Sequence, residues 1–187
     1  MSINNKKRIG IFDLEATATD CSGFIVGYGL MDEDGSFKHR FLDGKTVDAG
    51  EKDLLIFLRE DLSKYSVIIG HYIRRYDFPL IISRCLLRNV NPLGLLQIRK
   101  IDTWEIAQNF LLMPSYHNTL EDLCRFFGIT KNISLQGSDM PSLYMRAVQG
   151  DKTSLNMIAE HCRDDVTATF HLYNKLKILI GQEPIKY

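Results

Sequence analysis

The segment Ile11-Phe12-Asp13-Leu14-Glu15 sets two carboxylates into a run that is otherwise apolar. Residues 8–17 read as a buried strand. Strand side chains alternate between faces, so Asp13 and Glu15 point one way and Phe12 and Leu14 the other. Two neighbouring carboxylates on a buried face repel each other and are costly to desolvate. A fold tolerates the pair if a cation sits between the acids, or if this end of the strand is solvated. The motif alone leaves both readings open.

The remaining pattern predicts a sheet covered by helices. Residues 24–31 and 36–42 read as two further strands, and Asp32-Glu33-Asp34-Gly35 between them makes an antiparallel hairpin. Leu54, Leu55, Leu58 and Leu62 fall at helical spacing within 50–65. Val67-Ile68-Ile69 marks a short buried strand in 66–70, and 77–88 reads as a helix with Pro79 in its first turn. A weaker strand covers 98–101, with a helical stretch from Thr103. Residues 119–127 form a helix ended by Gly128, 130–141 the most mobile loop, 140–148 a helix, and 154–179 a long final helix. Three strands, helix, strand, helix, strand and helices make an α/β mixed sheet with helices on its faces.

The chain has 187 residues, 45% hydrophobic and 25% charged, an ordinary globular balance that excludes disorder. With no linker or repeat, residues 1–187 are expected to form a single domain. Basic and acidic residues number 23 each, so there is no net positive field to hold long nucleic acid by charge alone. Cys21, Cys85, Cys124 and Cys162 contain no CxxC pair, which argues against a zinc ribbon or a thioredoxin-like site. The first residues lack an apolar signal region, and no apolar run approaches the ~20 residues of a membrane span. A soluble, non-secreted protein of the cytoplasm or another reducing intracellular compartment is expected, with no membrane partner.

Two more acidic clusters accompany the first. Asp77, in Tyr76-Asp77-Phe78-Pro79, opens a helix after a buried strand, where an Asp also serves well as an N-cap. In Glu160-His161-Cys162-Arg163-Asp164-Asp165, His161 and Asp165 are four apart and share a helical face. The stripe Ile158, Cys162, Val166, Thr169 and Tyr173 lies beside that face. A surface His–Asp pair is the plain alternative. Taken together, Asp13, Glu15, Asp77 and Asp165 supply the oxygen-rich set that Mg²⁺ or Mn²⁺ requires. Two such ions ~3.5–4 Å apart clamp an in-line displacement at phosphorus, and a nearby His takes the proton of the attacking water.

The three motifs, FDLEAT, GHYIRRYDFPLI and HCRDDVTATFHLY, occur in the order found in the DEDD (DnaQ-like) 3′–5′ exonuclease superfamily, which this sequence resembles over nearly its whole length. The second motif, with Ile73, Tyr76, Asp77, Pro79 and Leu80, is most like the proofreading domains of family B DNA polymerases and related stand-alone nucleases. Ile101-Asp102-Thr103 and the run from Tyr116 to Leu123 are also typical. The resemblance implies a ribonuclease H-like fold with a five-stranded mixed sheet. It implies release of nucleoside 5′-monophosphates from single-stranded DNA or RNA 3′ ends, with DNA slightly favoured. By the same resemblance Asp13, Glu15, Asp77 and Asp165 match the ligands of two Mg²⁺ or Mn²⁺ ions, and His161 matches the general base. Leu14, Thr17, Tyr72, Tyr116 and His117 are the expected substrate contacts.

Three positions depart from the family pattern. His161 stands four residues before Asp165, the spacing of members whose base is Tyr, whereas a base His usually stands five before. Tyr72 replaces the usual Asn after Gly70-His71, and Ala16 replaces the usual Thr after the glutamate, with Thr17 following. No metal-binding acid is missing. The rival readings are a non-catalytic RNase H-like module that binds nucleic acid or protein, and a nuclease of the same fold that cuts internally.

Overall fold

The computed structural model describes residues 8–20, 22–42, 47–113, 118–133, 135 and 137–182. Strands β1 (Ile9–Ala16), β2 (Ile25–Asp32) and β3 (Phe37–Phe41) are followed by helix α1 (Val47–Leu62), β4 (Val67–Gly70), α2 (Asp77–Leu87), the one-turn α3 (Leu93–Leu96) and β5 (Arg99–Asp102). Helices α4 (Thr103–Phe110), α5 (Leu120–Phe127), α6 (Met140–Val148) and α7 (Lys152–Leu176) follow. The sheet runs β3-β2-β1-β4-β5; β1, β2 and β3 pair antiparallel, while β4 is parallel to both β1 and β5. This is the expected α/β mixed sheet with its N-terminal antiparallel strands.

Alternation along β1 divides the core. Phe12 and Leu14 join Tyr28, Leu30 and Ile68 under α1 and α2, where Leu54, Leu55, Leu58, Leu62, Phe78 and Ile81 are buried. Ile11 joins Met31, Ile69 and Ile101 under α4, α5 and α7. Asp13 and Glu15 lie on this second face, as the two-residue period requires. Their cross-strand partners on β2 are Gly29 and Gly27, so no opposing side chain covers the acids. Gly29 also lets α7 approach, because a Cβ there would lie 2.7 Å from Cys162 Sγ. The register shifts between Glu15 and Ala16, which bends the strand end that carries the acids.

Several boundaries differ from the sequence reading. Helix α1 stops at Leu62 rather than 65, and Tyr65 is buried beyond it. The turn α3 was not expected. Helix α7 begins at Lys152 because Asp151 caps it through Thr153 N (3.0 Å), and a 3₁₀ turn (Lys177–Ile180) follows it where a continuous helix was expected. In the 130–141 segment, Asn132 and Ile133 are tied to α7 and Gly137–Asp139 forms a 3₁₀ turn, so its described part is anchored rather than free. Gly128 ends α5 in the left-handed conformation (φ 66°), as expected. Cys21 and the loop residues Tyr116 and His117 lie outside the described residues. Among the described residues no helix is long and apolar enough to cross a membrane.

Candidate active site

Each acid reaches the site from an element whose position has a local cause. Asp13 and Glu15 come from central strand β1, beneath α7. Asp77 comes from the first turn of α2, and it is not the helix cap: the cap position is Tyr76, with no side-chain cap hydrogen bond. The loop before it is held by Asp102, whose carboxylate accepts from Tyr72 N (2.9 Å) and Arg74 N (3.0 Å) while capping α4 through Trp104 N (3.0 Å). His71 braces the same loop between Thr103 Oγ1 (2.9 Å) and the Asn118 carbonyl (3.1 Å). Burial pushes the His71 ring down to about 4, so it is neutral at pH 7. Its Nε2–H therefore donates to the carbonyl, and Nδ1 accepts from the Thr103 hydroxyl. Helix α2 is anchored in turn by buried Glu51 of α1, which accepts from Arg84 (2.6 and 2.7 Å), Arg88 (2.7 Å) and Ile25 N (3.1 Å).

Helix α7 brings the third group. Its stripe Ile158, Cys162, Val166, Thr169 and Tyr173 is fully buried, which turns His161 and Asp165 toward β1. His161 Nε2 lies 4.0 Å from Glu15 Oε1, and its Nδ1 lies 3.8 Å from Asp165 Oδ1. Glu15 Oε1 and His161 Nδ1 are buried without a hydrogen-bond partner. A cavity of about 530 Å³ opens here, lined by Asp13, Leu14, Glu15, Thr17, His161 and Asp165, with Tyr76 and the 137–141 segment among its walls.

The charge arrangement is strained without a cation. Burial first, then repulsion from Glu15, Asp165 and Asp77, holds Asp13 well above the usual carboxylate range. Burial followed by Asp165 and Asp77 does the same to Glu15. Burial and then Asp102 raise Asp77. His161 is pushed below the ordinary imidazole value, chiefly by burial, so the ring is neutral at pH 7 and can accept a proton. These orphaned and mutually repelling oxygens fit a divalent cation.

The structure brings Asp13, Glu15, His161 and Asp165 to one cavity with Leu14 and Thr17 on its wall. Asp77 is buried beside it and raises the acids of β1 electrostatically. Among the described residues, the metal-binding types that close within 4.8 Å of one another are Asp13, Glu15 and Cys162; Asp77 and Asp165 are not in that tight group. Tyr72 is not on the cavity wall. Its backbone is left-handed (φ 62°), and its ring packs edge-on to Trp104 (5.2 Å). That conformation is one Asn tolerates far better than Tyr, which explains the residue usual at this place. Arg74 pairs with Glu105 (3.2 Å) and Arg75 lies over Trp104 (4.8 Å).

Two residues escaped the sequence reading. Lys131 Nζ is 2.5 Å from Asp165 Oδ1 and supplies positive charge to the cluster. Asp164 accepts from Asn132 N (2.8 Å) and Ile133 N (3.0 Å), fixing the segment that carries Lys131. The pattern held only one signal for them, consecutive acids on a helix edge. A second groove of about 540 Å³ along β5 has Asp102 and Glu105 as its carboxylates. Both are already engaged, as a cap and with Arg74, so that groove lacks free acids for chemistry.

A family model for the RNase H superfamily matches residues 11–177. No curated protein matches the chain in sequence. Among solved structures, the fold is similar to the family B DNA polymerase from the hyperthermophilic archaeon Pyrobaculum calidifontis, with a TM-score of 0.74 and 17% identity. That match covers 91% of this chain and 24% of the polymerase chain.

Proposed function

The chain belongs to the RNase H superfamily, and from that premise we propose that it is a DEDD-type 3′–5′ exonuclease that releases nucleoside 5′-monophosphates from single-stranded ends. The observation that carries this reading is the placement of His161, neutral and with Nδ1 lacking a hydrogen-bond partner, between the orphaned Glu15 Oε1 and Asp165. Asp13, Glu15, Asp77 and Asp165 are the residues that would hold two Mg²⁺ or Mn²⁺ ions. When bound, such ions supply electrostatic stabilisation of the attacking and leaving oxygens.

The protein's own groups do the rest. His161 takes the proton of the attacking water, and the carboxylates of Glu15 and Asp165 on either side stabilise the imidazolium that results. Lys131 offsets part of the excess negative charge around Asp165. The cavity has the volume of a small-molecule site, which suits one terminal nucleotide rather than a duplex. Zero net charge agrees with a grip on few phosphates. The likeness to a family B DNA polymerase favours DNA over RNA as substrate.

The test is incubation with 5′-labelled single-stranded DNA and RNA of one sequence in Mn²⁺, beside Asp165→Asn. A ladder shortening from the 3′ end, absent in the variant, is expected, with a circular single strand left whole. Intact oligonucleotides in every lane would favour the binding module, and cut circles would favour an endonuclease.

A further inference from the structure

We infer that Asp13, Glu15 and Cys162 form a site for a borderline-soft divalent cation such as Zn²⁺, in which the Cys162 sulfur is a direct ligand. The donor atoms of these three side chains lie within 4.8 Å of one another. The edges of a tetrahedral zinc site are about 3.3–3.8 Å, from bonds of ~2.0–2.3 Å. Seating the ion requires the widest of these pairs to close by up to about 1–1.5 Å.

The sulfur is held in place by the fold. Cys162 is fully buried on α7, its Sγ sits over Gly29, and its thiol points at the Asp13 carbonyl (3.9 Å). Glu15, a member of the group, has its Oε1 buried without a hydrogen-bond partner. Two carboxylates and a sulfur are donors zinc accepts, with three protein ligands enough for a site whose fourth position is open, whereas Mg²⁺ takes oxygen and avoids sulfur. On binding, the zinc–sulfur bond forms as the S–H bond breaks, and one proton leaves to solvent; nothing is oxidised or reduced. Granted the exonuclease reading, zinc seated here takes Asp13 and Glu15 from the catalytic ions and inhibits the enzyme.

Cobalt(II) is the probe, because a thiolate ligand gives it a near-ultraviolet charge-transfer band with no nucleic acid present. Titration of the whole chain is expected to raise this band to saturation and Zn²⁺ to abolish it. In Cys162→Ser the band is expected to be absent and zinc affinity, measured against a chelating dye, to fall roughly tenfold or more, at least the scale that outer-shell partners of a metal carry. Cobalt bound without the band, no cobalt bound at all, or a band that persists in Cys162→Ser would each overturn the site. Should Cys162→Ser fail to fold, Glu15→Gln and Asp13→Asn keep the thiol, and unchanged zinc affinity in both overturns it equally. An exonuclease active in Mn²⁺ but lacking the band sinks only the zinc site. A band without hydrolysis sinks only the exonuclease.

Discussion

Asp13 shows how a single residue is kept at a cost to stability. Its carboxylate is crowded by burial and by Glu15, Asp165 and Asp77, so the folded state holds its proton more tightly than the unfolded chain does. Between the unfolded value near 4 and the raised folded value, the folded state binds more protons. Stability of the metal-free protein therefore falls as pH rises through that window. Asp13→Asn mimics the protonated acid. It is expected to stabilise the metal-free protein by about 1 kcal/mol at pH 7, a shift of roughly 2–4 °C. The gain should shrink toward zero near pH 4 in urea melts, and a constant gain would contradict the repulsion. His161 behaves oppositely: its ring is neutral down to below the usual value of about 6.5. Hydrolysis is expected to fall on the acid side of that value, and His161→Ala is expected to lose this limb. An unchanged pH profile in the variant would remove His161 as the base.

At the scale of elements, α7 does two tasks with adjacent residues. Asp165 faces the cavity, while Asp164 accepts two backbone hydrogen bonds from the segment that delivers Lys131. Asp164→Ala leaves those N–H groups without their acceptor and is expected to cost about 1–3 kcal/mol. Because Lys131 then loses its support, turnover should drop in parallel. Asp164→Asn, which keeps an acceptor oxygen, should recover part of both. Loss of stability with full turnover would show that the segment need not be held. The close seat of α7 on the sheet depends on Gly29, where any side chain would strike Cys162.

For the whole molecule, three elements distant in sequence converge on one end of a mixed sheet, and like charges meet there. A cation that binds the folded state alone is then a stabiliser. At a hundredfold excess over its dissociation constant, Mn²⁺ is expected to add about 2.7 kcal/mol at neutral pH. Thermal melts with and without chelator measure this, and Asp13→Asn should lose most of the increment. Chelation should also halt turnover, and full activity in excess chelator would reject metal catalysis.

By itself the amino-acid sequence determined the architecture and the acid pair. Alternation on β1 and helical periodicity are short-range properties, so the faces of Asp13 and Glu15 and the stripe of Ile158, Cys162, Val166, Thr169 and Tyr173 were legible there. The sequence also showed Tyr72 as a departure, but not that its backbone is left-handed in the turn after β4, a conformation that Asn tolerates better than Tyr. Only the tertiary structure decided that Asp77 leaves the cap to Tyr76, that Lys131 meets Asp165, and that Cys162 Sγ comes close to two carboxylates. Those outcomes rest on how α7 and the loops seat against the sheet. Such long-range contacts follow from packing, and no periodicity in the sequence encodes them.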